Sequence, residues 1–235
     1  MKTIRNDKLI KRNSRIGGWA MALAVIILLG GFYVNIGNVS TDDLQSFYLI
    51  LASFIIGFIL VQVGLYLVNR YGGYPRVDEK LDAALKGLPG DFTIYHFMTP
   101  ASHLLVGPAG IWILLPYRQR GVISYSKNRW RVSGGGFLQA YMTIFGQEGI
   151  GRPDLEAENE IRSVNTLLAK NFEGHEIPEV HAALVFTNEN IVIQTEDAPL
   201  PAMKLKQLKD FMRKRAKQVK LPASLADKIK SAIEQ

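Results

Sequence analysis

The chain has 235 residues, 48% of them hydrophobic, and a formal net charge of +7. It contains no cysteine, which excludes disulfides and thiolate–metal sites. The basic residues are concentrated in residues 204–220, where Asp210 is the single acid, whereas residues 69–203 carry more acids than bases. The body of the chain is therefore not the basic surface that nucleic-acid-binding domains present.

Two uncharged apolar runs predict a membrane anchor near the N-terminus. They cover about residues 17–36 and 47–68, and each is long enough for a helix to cross the hydrocarbon core. A pair of core helices in a soluble protein is the alternative, and a cleaved signal peptide is a second alternative for the first run. Small residues interrupt the runs and would allow close helix packing: Gly30, Gly31, Ala52, Ser53, Gly57 and Gly64.

The flanks of the two runs predict their orientation. The segment 1–16 is rich in lysine and arginine, and Arg70 and Arg76 follow the second run. The loop between the runs carries Asp42 and Asp43 and no base. Because positive flanks tend to stay inside, we expect a multi-pass protein of the cell membrane, with both termini and the soluble domain in the cytoplasm. Its first partner is then the lipid bilayer.

After a linker over residues 69–76, the pattern predicts an α/β domain. A helix over 77–88 precedes several short strands, and a glycine-rich connection over 133–151 leads to a second helix that begins near Asp154. The predicted strands are 92–98, 102–107, 110–117, 121–126, 128–132, 180–187 and 190–196. This order predicts a mixed sheet flanked by helices over residues 77–219, followed by a C-terminal helix within residues 220–235.

Residues 79–121 resemble the NERD (nuclease-related domain) family in their pattern of glycines and aliphatics. Glu79 lies on the early helix, residues 103–108 read HLLVGP, and residues 110–113 begin the next strand as GIWI. Pro153 opens a helix much as the family's Asn-Pro-x-x-Gln element does, and the resemblance spans most of residues 77–218. It implies a restriction-endonuclease-like core, in which carboxylates hold a divalent metal that activates water.

The catalytic positions of that family are changed in this chain. The family's aspartate falls on Ser102, its glutamate on Leu115 and its lysine on Tyr117, and Glu79 alone keeps its place. Serine is a poor magnesium ligand and leucine is none. The resemblance therefore implies a degenerate site with no catalytic residue and no metal, in a module that binds or scaffolds at the cytoplasmic face. The alternative is a membrane-tethered nucleic-acid-processing enzyme with a relocated metal site.

No other motif predicts a cofactor or a catalytic site. The four histidines form neither H-E-x-x-H nor H-x-x-x-H, and the glycines form no dinucleotide or Walker loop. His103 lies in an apolar strand, where a hydrogen-bonded core histidine is the usual outcome. On the same base rates, Glu79 is an ordinary solvated helix residue.

Two basic features remain as candidate contact surfaces, and no feature identifies a protein partner. The first is a strip in which bases alternate with aromatics, a candidate for phosphate or nucleic-acid contact: Arg118, Arg120, Arg129 and Arg131. An ordinary charged sheet edge is its alternative. The second is the helix within 204–220, a candidate for anionic lipid headgroups through Arg213, Lys214, Arg215 and Lys217. A solvated helix face, or nucleic acid, is the alternative there.

Overall fold

A computed structural model describes residues 1–37, 44–134, 149–171, 178–219 and 221–234. The chain forms two compact units, one of Asp7–Arg76 and one of Met1–Asn6 together with Val77–Gln235. The first six residues thus belong to the α/β unit, whereas the sequence groups them with the basic segment 1–16. The acidic loop with Asp42 and Asp43 lies outside the described residues, as does most of the glycine-rich connection.

The unit of Asp7–Arg76 contains two long helices, α1 (Asp7–Gly37) and α2 (Leu44–Tyr71). Both are long and apolar enough to cross a membrane, and only 17% and 11% of their most apolar windows are buried. Large apolar side chains such as Phe32 and Phe58 are more than half exposed along both helices. Buried core helices of a soluble protein do not present such surfaces, so the first alternative for the two runs loses its support.

Small residues bring α1 and α2 into close contact. A Cβ atom built on Gly57 would lie 2.6 Å from Leu28, and one on Gly64 would lie 2.7 Å from Met21. Gly31 faces Ser53 at still closer range, whereas Gly30 borders open space. The predicted close packing through small residues therefore holds at Gly31, Gly57 and Gly64, where a larger side chain would force the helices apart.

The second unit contains the predicted mixed sheet, here of six strands in the order β1-β2-β3-β4-β7-β9. Strands β2, β3 and β4 are antiparallel neighbours, β1 runs parallel to β2, and β4, β7 and β9 run parallel to one another. Because β4 and β7 are parallel neighbours, the chain between them makes a crossover connection. The strand bounds are β1 Lys2–Arg5, β2 Thr93–His96, β3 His103–Gly107, β4 Gly110–Tyr117, β7 Val180–Phe186 and β9 Ala202–Lys204.

Two helices cover each face of this sheet. Helix α3 (Val77–Leu85) packs with α5 (Leu208–Val219) on one face, and α4 (Pro153–Asn171) packs with α6 (Ala223–Glu234) on the other. A short 3₁₀ turn, Leu205–Gln207, precedes α5. Successive strand residues alternate between the two cores, as the pleat requires. The C-terminal helix, predicted outside the domain, contributes Ile229 and Ile233 to the same core as α4.

A second sheet of three strands follows the order β6-β5-β8. Its strands are β5 (Gly121–Ser126), β6 (Arg129–Ser133) and β8 (Ile191–Gln194). The strands β5 and β6 were predicted and pair as an antiparallel hairpin, and β8 runs parallel to β5 on the other side. Gly121 has a φ of +88°, and a Cβ atom there would collide with the carbonyl oxygen of Ser133, so glycine is required at this entry to the sheet.

A buried charge cluster holds β1 against α3. Arg5 Nε lies 3.0 Å from Asp78 Oδ2, and Arg5 Nη2 lies 2.5 Å from Asp82 Oδ2. The side chain of Asp78 is only 3% exposed, so its carboxylate depends on a nearby positive charge. On the opposite side of the same strand, Lys2 pairs with Glu234 at 3.3 Å in a solvent-exposed position. The two ion pairs of β1 therefore differ sharply in environment.

We expect Arg5→Ala to destabilise the α/β unit by about 3 kcal/mol or more, because it leaves buried carboxylate charge uncompensated. Lys2→Ala on the same strand is the matched control and should cost less than about 1 kcal/mol, since exposed ion pairs contribute little. Urea unfolding of the full chain in detergent, followed by the fluorescence of buried Trp112 and Trp130, measures both. Equal losses in the two variants would show that Arg5 has no special role.

Candidate functional site

Several of the candidate site residues lie at one end of the main sheet. The parallel strands β4, β7 and β9 all end there, and antiparallel β3 begins there. Ser102 immediately precedes β3, Tyr117 ends β4, and Lys204 ends β9. Ligands of open α/β sheets bind preferentially at the carboxyl ends of the parallel strands, so we call this the carboxyl edge and describe its two sides separately.

The α4 side of the carboxyl edge contains three of the four family positions. Ser102 Oγ donates a hydrogen bond to Glu160 Oε1 at 3.4 Å, and Tyr117 Oη donates one to Glu156 Oε2 at 2.6 Å. Leu115 is 2% exposed in the hydrophobic core on this side. The structure thus brings Ser102, Leu115 and Tyr117 together around two glutamates of α4.

Glu79, the fourth position, lies on the other side of the sheet. It belongs to α3, whose apolar residues pack into the core shared with α5. Its carboxylate is therefore separated by the sheet from Ser102 and Tyr117. The structure does not assemble the four family positions into one site.

The sequence did not predict that Glu160 and Glu156 are the partners of Ser102 and Tyr117. Helix α4 begins at Pro153, a favoured first helical residue, and Asp154 pairs with Arg152 at 2.9 Å. Glu156 and Glu160 are four residues apart and so lie on one helix face, directed at the sheet. That spacing was visible in the sequence, but its target became clear only once α4 was placed against β3 and β4.

Tyr117 is held in its neutral form. Burial is the largest cause that raises the pKa of Tyr117 far above its ordinary value, and the hydrogen bond and charge of Glu156 add to it, as do the charges of Glu160 and Asp154. The phenol therefore remains a hydrogen-bond donor at neutral pH. It cannot serve as a general base there, nor can it supply the positive charge of the lysine that the family places at this position.

On the α4 side, two carboxylates accept hydrogen bonds from uncharged hydroxyl groups. No group of three or more histidine, aspartate or glutamate side chains suited to a metal ion occurs within the described ranges. Leu115 adds no ligand, and Ser102 and Tyr117 direct hydroxyl hydrogens at Glu160 and Glu156. Both carboxylates therefore accept hydrogen bonds from neutral hydroxyl groups, and the neighbouring Leu115 offers no oxygen to a magnesium ion.

The α3 side contains a buried histidine pair. His96 and His103 face each other across β2 and β3, with their Nδ1 atoms 2.8 Å apart and exposures of 0% and 2%. His96 Nε2 lies 3.1 Å from Asp82 Oδ1, which also accepts a hydrogen bond from the Thr3 hydroxyl. Since a carboxylate only accepts, His96 Nε2 carries a hydrogen, and a hydrogen on one of the two Nδ1 atoms links the imidazoles.

This pair extends the charge cluster of Arg5 into the sheet. Burial opposes ionisation of Asp82, but hydrogen bonds and charge from His96, together with the Thr3 hydroxyl and Arg5, lower the pKa of Asp82 below its ordinary value. Phe97, which follows His96, has a φ of +56° and packs its ring 5.0 Å from that of His103. His103 is thus the hydrogen-bonded core histidine expected, but the pairing with His96 was not foreseen.

On β6, the arginines of the basic strip and its tryptophan lie on opposite faces of the strand. Arg129 and Arg131 are exposed on one face of β6, opposite Ser126 and Ser124 of β5. Trp130 lies between them on the other face, 6% exposed and packed on Tyr125. Arg118 and Arg120 are exposed in the segment joining β4 to β5. Trp130 is therefore turned away from the face on which Arg129 and Arg131 are exposed.

Tertiary contacts already engage half of the four bases predicted on helix α5. Arg213 Nη2 donates to the carbonyl of Gly87 just beyond α3 at 3.1 Å, where a positive charge suits the helix C-terminus. The guanidinium of Arg215 lies 5.7 Å from the Trp112 ring and 5.4 Å from the Phe211 ring. Lys214 and Lys217 are exposed on the same helix. Val219, the last residue of the helix, is 49% exposed.

Of the other two histidines, the structure describes one, His181. His181 lies on β7 with its ring 4.9 Å from that of Trp112, and His175 lies outside the described residues.

Comparisons of the chain with models of protein families, with curated proteins and with solved structures find no match. The class that the structure defines is thus two membrane-length helices joined to an α/β unit, and its function is inferred from the site itself.

We expect the full chain, purified in detergent, to leave DNA and RNA uncut in magnesium or manganese, because the ligand set on the α4 side lacks the family's aspartate, glutamate and lysine. Cleavage assays against a mock preparation measure this. Metal-dependent turnover abolished by Glu156→Gln or Glu160→Gln would instead identify a relocated metal site on α4. Turnover abolished by Glu79→Ala would instead show that Glu79 has the catalytic role that the resemblance implies for its position.

Proposed function

We propose that the protein is a membrane-anchored, catalytically degenerate nuclease-related domain that binds or scaffolds at the cytoplasmic face. The observation that carries this proposal is the hydrogen bond of Tyr117 to Glu156 on the α4 side of the carboxyl edge. At the position where the family has a lysine, this chain has the neutral hydroxyl of Tyr117. At the position where the family has a glutamate, it has the buried Leu115. Anchored binding without catalysis is the function that suits such a site.

The element order supports the nuclease-related part of the proposal. From α3 to β7 the described chain forms a helix, three antiparallel strands, the β5–β6 hairpin, a second helix and a parallel strand. The family's pattern of aliphatics and glycines falls on the same elements in the same order. Shared architecture does not carry activity, so the degenerate positions decide the functional part.

The pairing of β1 with β2 supports a topology in which both ends of the helical pair lie on one side of the membrane. β1 precedes α1, and β2 follows α2, yet the strands are hydrogen-bonded neighbours. Two crossings return the chain to the side on which it started. The bases of α1 before its apolar part, namely Lys8, Lys11, Arg12 and Arg15, favour the cytoplasm for that side.

The absence of native cysteine makes this topology directly testable. We expect a membrane-impermeant maleimide to label Ser40→Cys in intact cells and to label Ser231→Cys only after lysis, because the two positions lie on opposite sides. Reversed accessibility would place the α/β unit outside the cell. Equal labelling of both positions in intact cells would exclude two crossings.

The exposed bases of α5 supply the binding surface in this proposal. Lys214 and Lys217 are exposed, and each base near an anionic leaflet contributes about 1 kcal/mol of attraction. Arg213 and Arg215 have structural contacts, so we assign the lipid contact to the two lysines. The attraction is electrostatic and should weaken as salt shortens the Debye length below about 8 Å.

Nanodiscs of anionic or neutral lipid provide the test with the full chain. A dye on Gln218→Cys should be less accessible to the neutral quencher acrylamide in anionic discs, and high salt should remove the difference. Lys214→Gln with Lys217→Gln should abolish the protection. The control, Lys170→Gln with Lys228→Gln, removes the same charge from α4 and α6 and should retain it. Protection that survives the loss of both α5 lysines would overturn the assignment.

A further inference from the structure

A pocket of about 270 Å³ opens at the carboxyl edge on its α3 side. Residues from the end of β7, the end of β9 and the outer face of α3 line it. Lys204 ends β9 and pairs in register with Phe186 at the end of β7. The pocket therefore lies where open α/β sheets bind their ligands, and the sheet separates it from Glu156 and Glu160.

Three lysines, Lys80, Lys204 and Lys206, surround this pocket, and Glu189 is the single acid in its lining. Lys204 Nζ donates to the backbone carbonyl of Glu189 at 3.0 Å, which is a neutral acceptor. Across the described ranges, the side chains of Lys80 and Lys206 make no hydrogen bond or ion pair. Three positive charges therefore face a single negative charge in the lining.

The rest of the lining restricts what can neutralise that charge. Ala83, Ala84 and Leu205 form an apolar wall, and Thr187 and Asn188 add short polar side chains. A concave site lined by charges of one sign concentrates ions of the opposite sign. Lysine binds phosphate as a point charge, and the Asn188 amide can complete the contacts to its oxygens. The Thr187 hydroxyl donates to the Tyr117 carbonyl instead.

From this arrangement we propose that the pocket binds a small water-soluble molecule that carries a phosphate group, held by Lys80, Lys204 and Lys206. The phosphate lies among the ammonium groups, and the body of the molecule lies against the wall of Ala84 and Leu205. The site is independent of the degenerate family positions, because it uses the opposite side of the sheet and none of Ser102, Leu115 or Tyr117.

Isothermal titration of the full chain in detergent with inorganic phosphate and pyrophosphate tests the proposal. We expect one pyrophosphate to bind per chain, more tightly than phosphate, and sodium chloride at matched ionic strength to leave the heat signal absent. Lys80→Gln with Lys206→Gln should raise the pyrophosphate Kd by about tenfold or more, since each substitution removes a charge-assisted contact.

The control variant, Lys170→Gln with Lys228→Gln, loses the same charge at exposed positions outside the pocket and should keep the wild-type Kd within about twofold. Without ligand, both double variants should unfold at the wild-type temperature. Within the described residues, the side chains of the four substituted lysines make no hydrogen bond or ion pair. No binding at millimolar pyrophosphate would overturn the proposal. An equal loss of affinity in the two double variants would also overturn it, since net charge and not the pocket would then explain binding.

Discussion

The fold depends on one ionic interaction. Two carboxylates of α3 lie where little water reaches them, so they require a positive charge nearby. Arg5 supplies that charge from a strand that lies on the far side of two long helices in the sequence. Its fork contacts Asp78 and Asp82 together, which a lysine would not reproduce. Because Asp82 also contacts His96, the same cluster fixes α3 against both β1 and β2.

The consequences of this cluster reach the other elements of the α3 side. Once α3 is fixed, its C-terminal carbonyls offer acceptors to Lys209 and Arg213 of α5. α5 is in turn held by Arg215 over the Trp112 ring. The carboxyl edge thereby acquires two sides of opposite sign, with glutamates and hydroxyls on the α4 side and lysines on the α3 side. The sheet keeps these charges apart, so the two sides can bind different partners.

Much of the fold could be predicted because its signals are local. Alternation and Gly-Pro punctuation delimited strands such as Gly110–Tyr117, whose bounds were predicted residue for residue. β1 and β9 were missed, since strands of four and three residues carry little periodicity and find their partners far along the chain. The site followed the same division. Ser102 and Tyr117 were placed by resemblance, whereas their partners Glu160 and Glu156 required the packing of α4 against the sheet.

The parallel pairing of β1 with β2 also constrains the order of assembly. During synthesis, β1 leaves the ribosome long before β2, and both membrane-length helices emerge between them. The sheet edge is therefore completed only after the helical pair has been made. Meanwhile the waiting strand is short and bears Lys2 and Arg5, features that discourage mispairing. If the ends of the helical pair lay on different sides of a membrane, Asp78 would lack Arg5 and β1 could not pair with β2.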